Sequence, residues 1–230
     1  IRLHKMGLVV KDITYDNYIY RKKGKTVKKE RNKEIPSVTC RFVQPPLDEN
    51  GVIIEEKRGI LPRTLIKLLK SRKNTRNIMK TEKDGFRLAV LEGLQLAYKV
   101  TANSLYGSVG APVNPIYMKD IAACTTATGR KHLFLARDYI LKHYKDAEIV
   151  YGDTDSIFVN FNAKDENGKL YEGIEALQKS IELGEEASEG IQPSLEKPQC
   201  LEYEKTFYPF ILFSKKKYVG MKYETDTVKC

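Results

Sequence analysis

The spacing of apolar residues changes period several times along this chain, and each change marks a predicted element. Between residues 61 and 107 the period is helical: Leu65, Leu68 and Leu69 form a stripe that Ile66 widens. This helix opens at Leu61-Pro62, where proline is tolerated in the first turn. Its other face is basic, with Lys67, Lys70, Arg72, Lys73, Arg76 and Lys80. Thr81–Gly85 breaks the pattern. A second helix is predicted from about Phe86 to Leu105, ending at Tyr106-Gly107 with glycine in the usual stop position. Together they predict an antiparallel helical hairpin able to project from a domain. After a Gly/Pro-marked loop, 110–115, a third helix is expected from Met118 to Tyr144. Its start is rich in small residues (Ala122, Ala123, Thr125, Thr126, Ala127, Gly129) that permit close packing. A fourth helix is expected near Ile174–Glu189.

Elsewhere the period falls to that of strands. Gly7-Leu8-Val9-Val10 and Ser37–Val43 read as extended, with a turn at Asp48-Glu49-Asn50-Gly51. Residues 149–159 place two apolar, β-branched runs around a short polar turn, the pattern of a β-hairpin. Cys200–Thr206 and Tyr208–Phe213 are two further strand-like runs, followed by a basic knot, Lys215-Lys216-Lys217-Tyr218. From Arg21 to Lys33, Arg21, Lys22, Lys23, Lys25, Lys28, Lys29, Arg31 and Lys33 crowd around Gly24. Runs of like charge repel, so a solvated, mobile loop is expected there, with a phosphate-facing loop as the alternative.

Composition narrows the partners. The chain has 230 residues, 41% hydrophobic and 30% charged, enough for one large domain or two small ones. Forty Lys and Arg against thirty Asp and Glu give +10, which favours a polyanion, nucleic acid first and an acidic membrane surface second. No apolar run approaches the roughly 20 residues that span a bilayer. The chain opens on Ile1-Arg2-Leu3-His4-Lys5, without a signal-peptide pattern, and is expected to be a piece of a longer protein. Cys40, Cys124, Cys200 and Cys230 are dispersed, with no histidine at ligand spacing, so free thiols in a reducing compartment are expected rather than a zinc site.

Two groups of residues carry candidate chemistry. Asp153 and Asp155 lie two positions apart at the hairpin tip, and in an extended backbone such side chains leave on the same side. Paired hard oxygen donors suit Mg²⁺ bound to phosphates, as in two-metal sites that clamp an in-line displacement at phosphorus. A solvated Asp-rich turn is the alternative. On the helical hairpin, Arg72 and Arg76 (i, i+4) share one face, and Lys99, Asn103 and Tyr106 (i, i+4, i+7) share another. If those faces look the same way they form a cationic groove with an amide and an aromatic ring, suited to a triphosphate and a base.

These residues carry a family resemblance. Lys99–Gly107 resembles the Lys-x-x-x-Asn-Ser-x-Tyr-Gly motif of the family B DNA polymerases, and Tyr151-Gly152-Asp153-Thr154-Asp155-Ser156 resembles their catalytic Asp-Thr-Asp motif. Lys215-Lys216-Lys217-Tyr218 resembles their Lys-Lys-Arg/Lys-Tyr motif, and Arg58-Gly59-Ile60-Leu61-Pro62 the entry to their fingers. All four stand in the family's order. The strand with Glu202-Tyr203-Glu204-Lys205 is most similar to the replicative enzymes of eukaryotes and large DNA viruses.

The resemblance implies an α/β (α+β) fold: a palm of antiparallel sheet carrying the Asp hairpin, and a projecting two-helix fingers hairpin. Residues 1–60 would be an N-terminal palm segment with a basic insertion, 61–107 the fingers, and 108–230 the rest of the palm. It implies a DNA-directed DNA polymerase that adds dNTPs to a primer 3′-hydroxyl in replication. Asp153 and Asp155 would hold catalytic Mg²⁺. Arg72, Arg76, Lys99, Asn103 and Tyr106 would bind the nucleotide, and Lys215, Lys216, Lys217 and Tyr218 the primer–template. Glu202 and Glu204 are candidate extra carboxylates. The family's first carboxylate motif, Asp followed by Ser-Leu-Tyr-Pro-Ser, is not in the chain. The two-metal site would therefore be completed from outside it, and the piece alone would be inactive. Primer–template DNA and dNTPs are the expected partners, a processivity factor is a further candidate, and no membrane is expected. The expected location is the nucleus or a viral replication site in host cytoplasm. The rival reading is a polymerase-like scaffold that binds DNA without chemistry.

Overall fold

The computed structural model describes residues 9–23 and 26–224. Gly7 and Leu8 of the first strand-like run, Gly24, Lys25 and Cys230 lie outside them. The chain divides into two compact units, Ile1–Ala127 and Thr128–Cys230, each described by itself. Groups of antiparallel strands and groups of helices follow one another along the chain, as expected of an α+β chain. Among the described residues the strands form four separate two-stranded ladders rather than one continuous sheet.

In the first unit, β1 (Val10–Asp16) pairs antiparallel with β4 (Ser37–Val43), Ile13 facing Cys40. The outer face is wet, with an Asp12–Arg41 ion pair at 2.8 Å and a Thr14–Thr39 hydroxyl pair at 2.8 Å. The inner face meets the start of α3 (Lys119–His143). There the Tyr15 hydroxyl donates to Asp120 Oδ1 at 2.7 Å, and Cys124 Sγ donates to the Ile13 carbonyl at 3.8 Å. The two spacings agree: a strand advances about 6.8 Å between Ile13 and Tyr15, and a helix about 6 Å between Asp120 and Cys124. Burial first, then the bond to Asp120, pushes the Tyr15 hydroxyl up to about 12.

β2 (Tyr18–Lys23) and β3 (Thr26–Arg31) form a ribbon from the stretch expected to be a mobile loop. Local contacts temper the charge repulsion assumed there. The Lys29 ammonium lies 4.2 Å from the centre of the Tyr18 ring, and Arg31 pairs with Asp16 at 2.7 Å. The predicted turn at Asp48 is present: Asp48 Oδ1 accepts from the backbones of Asn50 and Val52, and Gly51 has φ 76°, where a side chain would be strained.

The helical hairpin consists of α1 (Ile60–Met79) and α2 (Gly85–Gly110). Asp84 caps α2, its side chain accepting from the Arg87 N–H at 2.7 Å. α2 runs past the expected stop at Gly107 to Gly110. Gly107 meets nothing that forces a left-handed turn, whereas Ala111 precedes Pro112 and is driven to an extended conformation, φ −94° and ψ 114°.

The second unit contains the remainder of α3, the β5 (Glu148–Asp153) and β6 (Ser156–Asn160) hairpin, α4 (Gly173–Ile191), and the β7 (Thr206–Ser214) and β8 (Lys217–Tyr223) hairpin. α4 buries Leu177, Ile181, Ala187 and Ile191 on one stripe. Residues 200–205 are not the expected strand. They lie against α4 and the turn that follows it: Gln192 Nε2, just past the helix, donates to the Leu201 carbonyl, and the Tyr203 ring covers Gly184. β7 contains Pro209, which cannot donate to a ladder. The register shifts between Phe207 and Phe210, and the Pro209 carbonyl closes over Gly220, where a side chain would collide with it.

A Cβ on Gly184 would stand 2.6 Å from the Tyr203 ring, whose hydroxyl is fixed by Thr206 and the Glu224 carbonyl. Overpacking of this kind costs about 1–3 kcal/mol, against a helix-propensity gain of about 1 kcal/mol for Gly→Ala. Gly184→Ala therefore lowers the thermal midpoint, while Gly93→Ala in α2, with open space around it, raises it by the propensity gain. Equal increases in the two variants, followed by circular dichroism, would refute the Tyr203 packing.

Candidate functional site

The second unit brings two hairpin tips together. Tyr151 and Phe158 of the first hairpin meet Phe207, Phe210 and Tyr218 of the second, with Phe158 at the centre. Its ring centre lies 5.5 Å from Phe210 in a stack and 5.2 Å from Tyr218 edge-on. At the tips, Lys216 Nζ donates to Asp153 Oδ2 at 2.5 Å, and the Lys216 backbone N–H donates to the Tyr151 hydroxyl at 2.9 Å. Thr154 Oγ1 donates to Asp153 Oδ1 at 3.0 Å.

Both tips use left-handed residues, Thr154 at φ 55° and Lys216 at φ 65°. A β-branched residue there is a genuine outlier. The Asp155 N–H turns back to the Asp153 carbonyl at 2.6 Å. The backbone between the two aspartates is thus a tight turn, which corrects the extended geometry expected to aim both side chains to one side. The aspartates are instead distinguished. Asp153 has both oxygens engaged and its side chain is only 24% exposed. Asp155 is exposed and makes no side-chain hydrogen bond among the described residues, though its charge acts on the Lys216 ammonium. The bond to Lys216 holds the Asp153 carboxyl below its ordinary 3.8, aided by Thr154 and by the charges of Lys216 and Lys215. Reciprocally, Asp153 raises the Lys216 ammonium above its ordinary 10.5.

Lys215 and Lys216 form the turn of the second hairpin, Lys217 faces Ser214 at the ladder end, and Tyr218 joins the aromatic cluster. Glu202 and Glu204 line the same open cleft as Asp155. Glu204 pairs with Lys205 at 2.8 Å, and no three His, Cys, Asp or Glu converge as a metal site among the described residues.

In the first unit, Arg72 Nε donates to Gln95 Oε1 at 3.2 Å. Gln95 stands one turn before Lys99, so Gln95, Lys99, Asn103 and Tyr106 run down one face of α2, with Arg72 reaching its head from α1. Helical spacing alone points to Gln95. Because the helices of a hairpin run antiparallel, Arg76 lies one turn farther from Lys99 than Arg72 does. Arg72, Arg76 and Lys99 form no salt bridge among the described residues, and the Tyr106 hydroxyl reaches the Ala122 carbonyl at 3.4 Å. Tyr151, which fixes the Lys216 backbone, is not among the site residues the sequence singles out. Its signals are its place at the start of the Asp-Thr-Asp motif and strand alternation, two residues before Asp153.

A family model described as DNA polymerase family B matches residues 13–229. A DNA polymerase of Pyramimonas orientalis virus is 40% identical over 267 aligned positions, covering 97% of this chain and 21% of the relative. The DNA polymerase delta catalytic subunit of Drosophila melanogaster is 38% identical over 183 positions, covering 76% of this chain and 16% of the relative. The solved family B DNA polymerase of the hyperthermophilic archaeon Pyrobaculum calidifontis matches with TM-score 0.49 and 26% identity, covering 83% of this chain and 20% of that one. The chain spans about a sixth to a fifth of the length of these relatives.

A carboxyl whose folded value is depressed adds stability above its unfolded value, and that contribution is lost as pH falls through the folded value. The Asp153–Lys216 pair is therefore intact at neutral pH and breaks in acid below pH 3.8. Carboxyl-carbon NMR titration without divalent cations should place the Asp153 midpoint below 3.8 and return it toward that value in Lys216→Met. An unmoved midpoint in the variant would show that the pair does not form.

Proposed function

This chain belongs to DNA polymerase family B, and from that premise we propose that it supplies the nucleotide-handling part of a DNA-directed DNA polymerase. Residues 61–107 are assigned to the fingers, and 1–60 and 108–230 to the palm. The reaction is attack of a primer 3′-hydroxyl on the α-phosphate of a dNTP, releasing pyrophosphate. The observation that supports it most is the tip geometry, in which Asp155 presents open carboxylate oxygens beside an Asp153 locked by Lys216.

Phosphoryl transfer needs positioning and charge neutralisation more than covalent help. Lys99 and Arg72 neutralise the triphosphate, with Arg76 one turn away. Asn103 supports the nucleotide from the same face, and Tyr106 packs near the nascent base pair. Lys215, Lys216 and Lys217 hold primer–template phosphates, with Tyr218 anchoring their hairpin through its aromatic contacts. Magnesium takes one or two carboxylates and otherwise keeps waters and substrate phosphates, so the donors of Asp155 and Asp153 fit it. Bound there, it supplies charge neutralisation at the reacting phosphate. Asp153 orients Lys216, and Asp155 would be the principal ligand. The completing carboxylate is assigned to a segment outside this chain, since the family's first carboxylate motif is not in the sequence. The proposed setting is a site of DNA replication, nuclear or viral, with a processivity factor as further partner. Among the described residues no helix is long and apolar enough to cross a membrane.

Primer extension by the full-length protein with dNTPs and Mg²⁺ tests this. Asp155→Ala should lower the rate about 100-fold or more, the scale set by removing one charge-stabilising group. Asp153→Asn should cost less, and the isolated 230-residue chain should extend nothing. Extension unaffected by Asp155→Ala would overturn the assignment. DNA binding with no extension under any condition would support the scaffold reading.

A further inference from the structure

The basic run from Arg21 to Lys33 has no role in the sites above. Residues 18–33 carry eight basic side chains against one acidic, Glu30, so this stretch holds +7 of the chain's formal +10. Residues 18–23 and 26–31 of it form the β2–β3 ribbon, which pairs with no other strand among the described residues. Lys22, Lys28, Lys29 and, just beyond the ribbon, Lys33 are exposed, and none forms a salt bridge among the described residues. A lone two-stranded ribbon is marginal in water, and a large net charge of one sign weakens it further through self-repulsion. An element so composed gains stability from a polyanion that neutralises it.

We propose that the β2–β3 ribbon is a separate DNA-binding arm that holds the phosphates of duplex DNA without reading sequence. Six residues of strand span about 20 Å, over which a duplex presents roughly twelve phosphates. A two-stranded ribbon is also a shape that the major groove admits. By register, Tyr18, Lys22, Val27, Lys29 and Arg31 share one face. Single-strand binders need open aromatic rings for base stacking, but among the described side chains of the ribbon the one tyrosine ring, Tyr18, is already covered by the Lys29 ammonium. An acidic membrane surface calls for apolar side chains among the lysines. Among the described side chains of the ribbon, Val27 is the one exposed large apolar group. The charge, the shape and the covered ring together favour duplex backbone.

The test is fluorescence anisotropy of the whole chain on a blunt duplex of roughly 20 base pairs, in EDTA and without nucleotide, across about 50–200 mM KCl. Omitting nucleotide chemistry separates this inference from the polymerase assignment, because failure of either leaves the other assay readable. Lys22→Gln, Lys28→Gln and Lys29→Gln combined should reduce the slope of log K against log[KCl] by about 2–3, at about 0.9 for each phosphate that is no longer neutralised. The same three positions changed to Arg should keep the parental slope. Gln at exposed Lys131, Lys142 and Lys145 should change it by less than about 1. Parental affinity and slope in the ribbon Gln variant would overturn the proposal, as would equal reductions in both Gln sets or a reduced slope in the Arg variant. Binding to phosphatidylserine vesicles but not to DNA would also overturn it.

Discussion

The docking of two β-hairpins through Phe158 is the contact on which the candidate catalytic geometry depends. Stacking of Phe158 on Phe207 and Phe210, with Tyr151 and Tyr218 at the edges, fixes how the hairpins cross. Aromatic pairs add about 0.5–1.5 kcal/mol each beyond the area they bury. The Asp153–Lys216 pair, whose lysine is exposed, is screened by water and has a different role, setting where the two tips point once the rings have brought them close. The Tyr151 hydroxyl serves both purposes, with its ring in the cluster and its oxygen on the Lys216 backbone.

That arrangement accounts for two strained residues. Thr154 and Lys216 hold positive φ, which costs an ordinary side chain about 1–3 kcal/mol and persists only where surroundings over-determine it. Thr154 is held by its bond to Asp153, and Lys216 by its bonds to Asp153 and Tyr151. The strained backbone is what separates the two aspartates into one locked and one open carboxylate. In the first unit positioning works by helical spacing alone, with Arg72 laid against Gln95 at the head of the Lys99, Asn103 and Tyr106 face.

Much of this is legible in the sequence, and the exceptions have physical causes. The long helices and the 149–159 hairpin fall within a few residues of their expected bounds, because their apolar periods are strong and their breakers unambiguous. The family resemblance agrees with the family model across residues 13–229. Gly107 misleads because glycine marks a stop only where a left-handed turn is needed, and the Ala111-Pro112 step supplies the stop instead. The basic ribbon reads as a loop when charge repulsion is weighed without the Tyr18–Lys29 and Asp16–Arg31 contacts. Residues 200–205 alternate like a strand but spend their contacts on α4. The Asp153–Lys216 pair spans 63 positions, a separation that local pattern does not encode.

Under the proposed function, Asp155 would be the open, cation-facing carboxylate of the tip, and Asp153 would act through Lys216. A crystal structure of the full-length protein with primer–template, dNTP and Mg²⁺ would decide between this division of labour and its alternatives. The expected result is an Asp155 carboxylate oxygen about 2.0–2.1 Å from a bound cation, with the Asp153–Lys216 pair retained. A cation held by other groups, with Asp155 left in solvent, would contradict it.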